Sequence, residues 1–266
     1  MTLSVMTLTA SIMSIPRRNA SLCSHRPLKR GRGMNADAEN RGRRLGRLAG
    51  LFYLLLILVA VPGMVPLMGL IDRSDAAATA ANLLASQDLV RLAFAGYLAS
   101  TAGYVIVMGL FYRLFHPVNR DVALIALLLS LVGCAIHALG MLFVQGALLT
   151  LSGGTVGVGA PAGAPSALLF VELYIATYNI GLIFFGVQCI LTGWLIYASR
   201  FLPRLLGAAL MLGGAGYVTF LVPPFAASLF PFNVAPGYLT EVVLALWLLV
   251  RGVDAQRWAE RALPSH

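Results

Sequence analysis

Asp88, Arg91, Glu172 and Glu241 are ionisable side chains set in or at the edges of long apolar runs, and His137, Gln145, Asn179 and Gln188 are polar ones set among apolar neighbours. An unpaired charge inside hydrocarbon costs at least about 2.5–3.5 kcal/mol, so each such group needs a partner, a hydrated path, or a position at the headgroups. Glu172 and Glu241 read near the outer ends of their runs and Asp88 and Arg91 at the outer start of another, which predicts a shared depth. That arrangement allows pairing of Arg91 with Glu172 or Glu241, or a polar outer cavity holding an ion or solute. His137 lies on the helical face made by Ser130, Gly133, Cys134, His137 and Gly140. Small residues at this spacing admit a second backbone. The histidine is then either bonded across a helix interface or a protonatable relay, with Gln145, Asn179 and Gln188 as candidates to extend the path.

Other chemistry has little to stand on. There is no HExxH, no CxxC, no Ser with a His and an acid at matching depth, and the glycine-rich GGTVGVG lacks the Lys-Ser/Thr ending of a phosphate loop. Cys23, Cys134 and Cys189 have no metal-ligand spacing, and the last two lie in apolar runs where a thiol acts as a small hydrophobe. We therefore assign no catalytic residue, no metal and no cofactor from the sequence.

The elements that must position these groups are membrane spans. Hydrophobic residues are 59% of 266 and charged residues 11%, with a mean hydropathy of +0.84, a surface that only lipid would solvate. The predicted architecture is all-α, a polytopic transmembrane helix bundle of six spans. They run from about Leu48 to Leu70, Leu89 to Tyr112, Asp121 to Leu149, within Ala167 to Ala198, from Pro203 to about Val222, and from Val234 or Leu239 to Val250. Between them, IDRSDAAATAANLLASQD suits a short interfacial helix. TLSGGTVGVGAPAGAP suits a flexible loop, and PPFAASLFPFNVAPG, with four prolines, an interfacial or partly re-entrant loop. The tyrosines and tryptophans are expected mostly at span ends, as an aromatic belt.

The net charge of +9 gives the direction. All but Arg73 and Arg91 of the 19 basic residues fall in the amino-terminal segment, the turns carrying Arg113, Arg120, Arg200 and Arg204, or the tail, which places both termini in the cytoplasm. The same charge is expected to meet anionic headgroups at the inner turns rather than nucleic acid. Residues 1–41 read as a disordered basic segment with Met34 as an alternative start, 42–255 as the membrane domain, and 256–266 as a short cytoplasmic tail.

Four stretches, GRLAGLFYLLLILVAVPG (46–63), ATAANLLASQDLVRLAFAGYL (78–98), GLIFFGVQCILTGWLIYASRFLPRLLG (181–207) and LTEVVLALWLLVRGV (239–253), resemble the bacterial integral membrane family catalogued as domain of unknown function 4386. The resemblance covers about residues 42–255 and implies a multi-pass, six-span protein of the bacterial cytoplasmic (inner) membrane, with no catalytic residues to carry over. Three function classes follow: a small-solute or ion-handling protein, a membrane scaffold or regulator acting through a membrane-protein partner or homo-oligomer, and an intramembrane enzyme.

Overall fold

The computed structural model describes residues 28–153 and 162–263, with side chains from Asn35 onward. The expectations for Cys23, for the chain before Leu28 and for residues 154–161 lie outside these. Among the described residues there is no strand. The helices are α1 (Leu28–Gly69), α2 (Ala76–Ala85), α3 (Gln87–Phe115), α4 (Arg120–Leu151), α5 (Ala164–Ser199), α6 (Arg204–Val218), α7 (Pro223–Leu229), α8 (Ala235–Val250) and α9 (Ala255–Ala262), with a 3-10 turn at Thr219–Leu221.

Five of these segments are long and apolar enough to cross a membrane: Asn35–Gly69, Gln87–Phe115, Arg120–Leu151, Ala164–Ser199 and Arg204–Leu221. Each overlaps the apolar run that predicted it, with ends displaced by a few residues except at the start of the first, which lies 13 residues before the expected Leu48. The remaining expected span is α8, whose 16 residues make about 24 Å of helix, short of roughly 30 Å of hydrocarbon. The outer surface of the bundle is apolar, with Leu205 80%, Val250 72% and Leu212 67% exposed, as suits lipid rather than water.

Local chemistry sets the helix ends. Asp75 caps α2 by accepting from the N–H groups of Ala77 and Ala78 at 2.8 and 2.9 Å, and Asn119 caps α4 by accepting from Val122 N at 3.0 Å. Pro62 and Pro66 lie inside α1 without ending it. The turn from α5 to α6 needs a left-handed residue, supplied by Arg200 at φ 63°.

α5 packs closely with α4 and with α6. Its contact with α6 is backbone to backbone: a Cβ on Gly193 would come 2.6 Å from Gly207 O, and one on Gly186 would come 2.7 Å from Gly214 O. Dispersion and close backbone approach hold such pairs together in lipid, where there is no hydrophobic force between helices. Two buried clusters result. One includes Leu45, Phe111, Phe115, Leu248 and Trp258; the other includes Leu67, Leu83, Val90, Met141 and Tyr174.

The first cluster extends to the basic end of the bundle, where α9 docks. Residues 256–262 of the expected tail fold as a helix capped by Asp254, whose Trp258 is buried and donates Nε1–H to Leu114 O at 2.9 Å. Arg257 Nη1 donates to Arg200 O at 2.9 Å, Arg261 Nη2 to Ala198 O at 3.0 Å, and Asp254 N to Phe201 O at 3.0 Å. These carbonyls lie at the C-terminal ends of α3 and α5 and in the turn after α5. Helix ends leave such acceptors without internal partners and favour cations beside them. Residues 35–41, expected to be disordered, are helical within α1, and Trp258 packs on Gly42.

The proline-rich segment after α6 folds as the short helix α7 and a turn. Phe225, Phe230 and Phe232 are exposed, while Asn233 is buried and donates Nδ2–H to Thr219 Oγ1 at 3.0 Å and to Ala226 O at 3.3 Å.

Candidate functional site

The four ionisable residues expected to share a depth do not form one cluster. Arg91 pairs with Asp88 one turn away, at 3.5 Å on the exposed surface of the first turns of α3. Glu172 pairs with Arg73 from the α1–α2 connection, Nε reaching Oε1 at 2.5 Å and Nη2 reaching Oε2. This two-point contact holds the Arg73 guanidinium above its usual pKa, chiefly through the hydrogen bonds to Glu172. Beside it, Asp72 accepts from Ser74 Oγ at 2.6 Å and Ser74 N at 2.9 Å, which keeps its carboxyl below the usual range. Thr79, buried in α2, ties this connection down through both backbone groups of Asp72, at 2.8 and 2.7 Å. These contacts belong to the end of the bundle opposite α9.

Glu241 stands elsewhere. It touches Cys189 of α5, and Cys189 lies 17 residues from Glu172, about 25 Å along the helix. Counting back from the last residue of α8, Val250, puts Glu241 about 14 Å from the basic end, near the middle of the hydrocarbon. Its Oε1 accepts from Tyr217 Oη at 3.4 Å and from Cys189 Sγ at 3.8 Å, and Tyr53 of α1 is also within reach of the carboxylate. The contacts with Tyr217 and Cys189 are both long, and the thiol is a weak donor. Among the described residues no Lys, Arg or His pairs with it.

The local sequence builds this environment through Gly237 and Glu241, one turn apart on α8. The Tyr217 ring lies directly over Gly237, in the space a Cβ would take, and so brings its hydroxyl to the carboxylate. Tyr217 also packs on Tyr238, with centroids 5.5 Å apart, and the Tyr238 hydroxyl meets that of Tyr178 at 2.5 Å.

From Tyr178 the polar string continues to His137. The imidazole stacks on the Tyr178 ring at 4.7 Å and 9°, and a Cβ at Gly181 would overlap it. Nε2 lies 3.1 Å from Tyr178 O and Nδ1 lies 2.6 Å from Tyr97 Oη. A carbonyl only accepts, so in the neutral ring Nε2 carries the hydrogen and Nδ1 accepts from Tyr97. His137 is thus bonded across the interfaces of α4 with α3 and α5.

On the other side of Glu241, Tyr53 packs edge-on to Tyr104 at 5.9 Å, and Tyr104 Oη donates to Gln188 Oε1 at 2.9 Å. Gln188 Nε2 then donates to Thr192 Oγ1 at 2.9 Å. Gln145 and Asn179 are half-buried and take no part in these bonds. Hydrogen bonds thus join Tyr97 with His137, Tyr178 with Tyr238, Tyr217 with Glu241, and Tyr104 with Gln188 and Thr192, and ring contacts bring these groups into one string drawn from α1, α3, α4, α5, α6 and α8.

Most of these tyrosines were expected in an aromatic belt, and here the structure corrects the sequence. Tyr53, Tyr174 and Tyr217 are buried, while Trp194 and Tyr197 stand clearly at the surface. Tyr53 and Tyr104 had an available signal, since each lies well inside an apolar run rather than at its end. Tyr217 had one too, in the spacing of Gly237 and Glu241, but only knowledge of which helices meet would have joined them. Cys134 and Cys189 are both buried free thiols.

Comparison with known proteins adds a family and no chemistry. Residues 48–252 match the family described as a domain of unknown function (DUF4386). A protein of Archaeoglobus fulgidus, named only as an uncharacterized protein, is 34% identical over 77 residues, which is 28% of this chain and 45% of that protein. The chain thus spans about half the length of that relative. No solved structure matches the chain.

Proposed function

The chain belongs to the DUF4386 family, and from that premise we propose that it is a six-crossing protein of the cytoplasmic membrane that handles a proton or small cation through the string centred on Glu241. The observation that carries this reading is the isolation of Glu241: a mid-depth carboxylate with hydroxyl and thiol neighbours and, among the described residues, no basic partner. Buried ionisable groups in membrane helices that lack a structural counter-ion mark ion or proton paths by default. Tyrosine hydroxyls, which both donate and accept, and an imidazole are groups that a proton relay uses, although ring contacts rather than hydrogen bonds join Tyr178 to His137 and Tyr217 to Tyr238.

Six crossings are favoured by the course of α8. Its start packs on the far end of α6, where a Cβ on Gly213 would overlap Gly237, and its end packs at Gly50 of α1 beside α9. The segment holding α7 would make up the missing length. The basic residues of the turns and of α9 gather at one end, which supports a cytoplasmic placement of that end and of both termini. A scaffold or regulatory role is the second reading, favoured by the closed bonding of Gln188 and His137 within the bundle.

Single cysteines in a protein free of Cys23, Cys134 and Cys189 test both parts. Cysteines at Ser74 and Ser228 should label from the outside and those at Asn119 and Gln256 from the inside; labelling of 228 and 256 from the same side removes the sixth crossing. A cysteine at Glu241 should react with a small water-soluble reagent. Protection there, with the loop positions labelling as expected, overturns the ion path in favour of the scaffold.

A further inference from the structure

Arg43 and Arg47 of α1, Arg251 at the end of α8, and the link Gly252–Asp254 line a groove of about 420 Å³ at the basic end. The sequence places Arg43 and Arg47 one turn apart on one face. Arg251 is held over the Trp247 ring, with the guanidinium carbon 5.4 Å from the centroid. The chain then turns sharply, because Gly252 takes φ +69° and both Arg251 N and Gly252 N bond Trp247 O, at 2.8 and 3.0 Å. This turn sets Gly252 against the stem of Arg47.

Two acids also line the groove. Asp254 is committed, bridging Arg257 at 3.1 Å and capping α9, whereas Glu39 lies at the rim. Among the described residues no carboxylate bridges Arg43, Arg47 or Arg251. Three exposed arginines around one concavity, with the Arg251 guanidinium held over Trp247 and none of the three bridged by a carboxylate among the described residues, match the shape of a phosphate better than that of a single carboxylate. Arg43 and Arg47 continue on α1 into Leu51 and Leu58, at helical spacing from Arg47 and both exposed, so an apolar track leads away from the charged mouth.

We propose that this groove binds the phosphate of an anionic phospholipid headgroup, with an acyl chain along the Leu51–Leu58 face of α1. The site rests on the placement of the basic end at the cytoplasmic leaflet and is independent of Glu241, so a failed ion-flux assay leaves it standing. Lipid phosphate at such a site would hold α1 to the α8–α9 link.

The test uses the full chain in neutral detergent, followed by thermal unfolding with phosphatidylglycerol, phosphatidylcholine or inorganic phosphate added. Phosphatidylglycerol should raise the midpoint in a saturable way and phosphatidylcholine should not. The Arg47→Gln/Arg251→Gln variant should weaken the apparent affinity at least tenfold. Arg41→Gln/Arg44→Gln removes the same charge from α1 outside the groove and should change it less than twofold. Should the first variant not fold, Arg43→Gln should still lower the occupancy of phosphatidylglycerol adducts severalfold in native mass spectrometry. Equal loss in the groove and control variants, or an equal response to both lipids, overturns the site. Displacement of phosphatidylglycerol by millimolar inorganic phosphate overturns the lipid as occupant and assigns the groove to a free anion.

Discussion

Glu172 and Glu241 are the same side chain in two helices of one bundle, and they are treated in opposite ways. Glu172, near the far end of α5, receives both ends of the Arg73 guanidinium and shares its surroundings with an exposed connection. Glu241, at mid-depth, is met among the described residues by Tyr217, Cys189 and Tyr53 and by no basic side chain. A carboxylate near water gains little from a counter-ion, whereas one in hydrocarbon gains most from it. The arginine therefore stands where stability needs it least, which separates a residue that organises a loop from one for which we propose an ion-handling role.

The widest separation between the two should appear in ion handling. In proteoliposomes with an imposed pH gradient and an internal pH dye, Glu241→Gln should lower flux at least tenfold, while Glu172→Gln stays within twofold of the parent. Equal rates in all three proteins would make Glu241 a packing residue. Gly237→Ala attacks the same site from the side, because its methyl group meets the Tyr217 ring and must push it from the carboxylate. Overpacking of this kind costs about 1–3 kcal/mol, to be read as a lower unfolding midpoint together with reduced flux. Stability unchanged by this substitution would mean that Tyr217 has room to yield.

At the other carboxylate the effects are smaller. Arg73→Gln and Glu172→Gln should each change stability by at most about 1 kcal/mol, as for other exposed pairs, and a double-mutant cycle should return a coupling of that size. A coupling of several kcal/mol would mean that the pair is shielded from water after all. The smallest effect is expected at Asp72. Its folded pKa lies below the ordinary value of 3.8, so its contribution is present above that value and fades as pH falls through the lower folded one. The protection of amides across residues 72–79, measured against their intrinsic exchange rates, should fall in that window, and Ser74→Ala should flatten the dependence.

The span positions could be read from the chain because they follow from local composition. The run expected at Leu89–Tyr112 is α3, Gln87–Phe115, and that at Asp121–Leu149 is α4, Arg120–Leu151. The small residues beside His137 lie on α4, whereas Gly181, which makes room for the ring, lies on another helix. The tyrosines were harder. An aromatic ring suits both a membrane interface and a bundle interior, and sequence position separates the two poorly when spans run to 29–36 residues. α9 was legible in principle, since Asp254, Trp258 and Ala259 stand at capping and one-sided spacing, yet its burial depends on carbonyls left open by α3 and α5.

Apolar runs too long for a water-soluble surface, and basic residues concentrated in alternate connections, established the helical membrane class and the order of its elements, because hydropathy and helix length act within a single segment. The pairing of Arg73 with Glu172 across 99 positions, the meeting of Tyr217 with Glu241, and the docking of Trp258 on Leu114 are choices among partners that every segment offers. Only the packing of one helix on another makes such choices, since a hydrogen bond requires two groups within about 3 Å and the sequence carries no distance between segments.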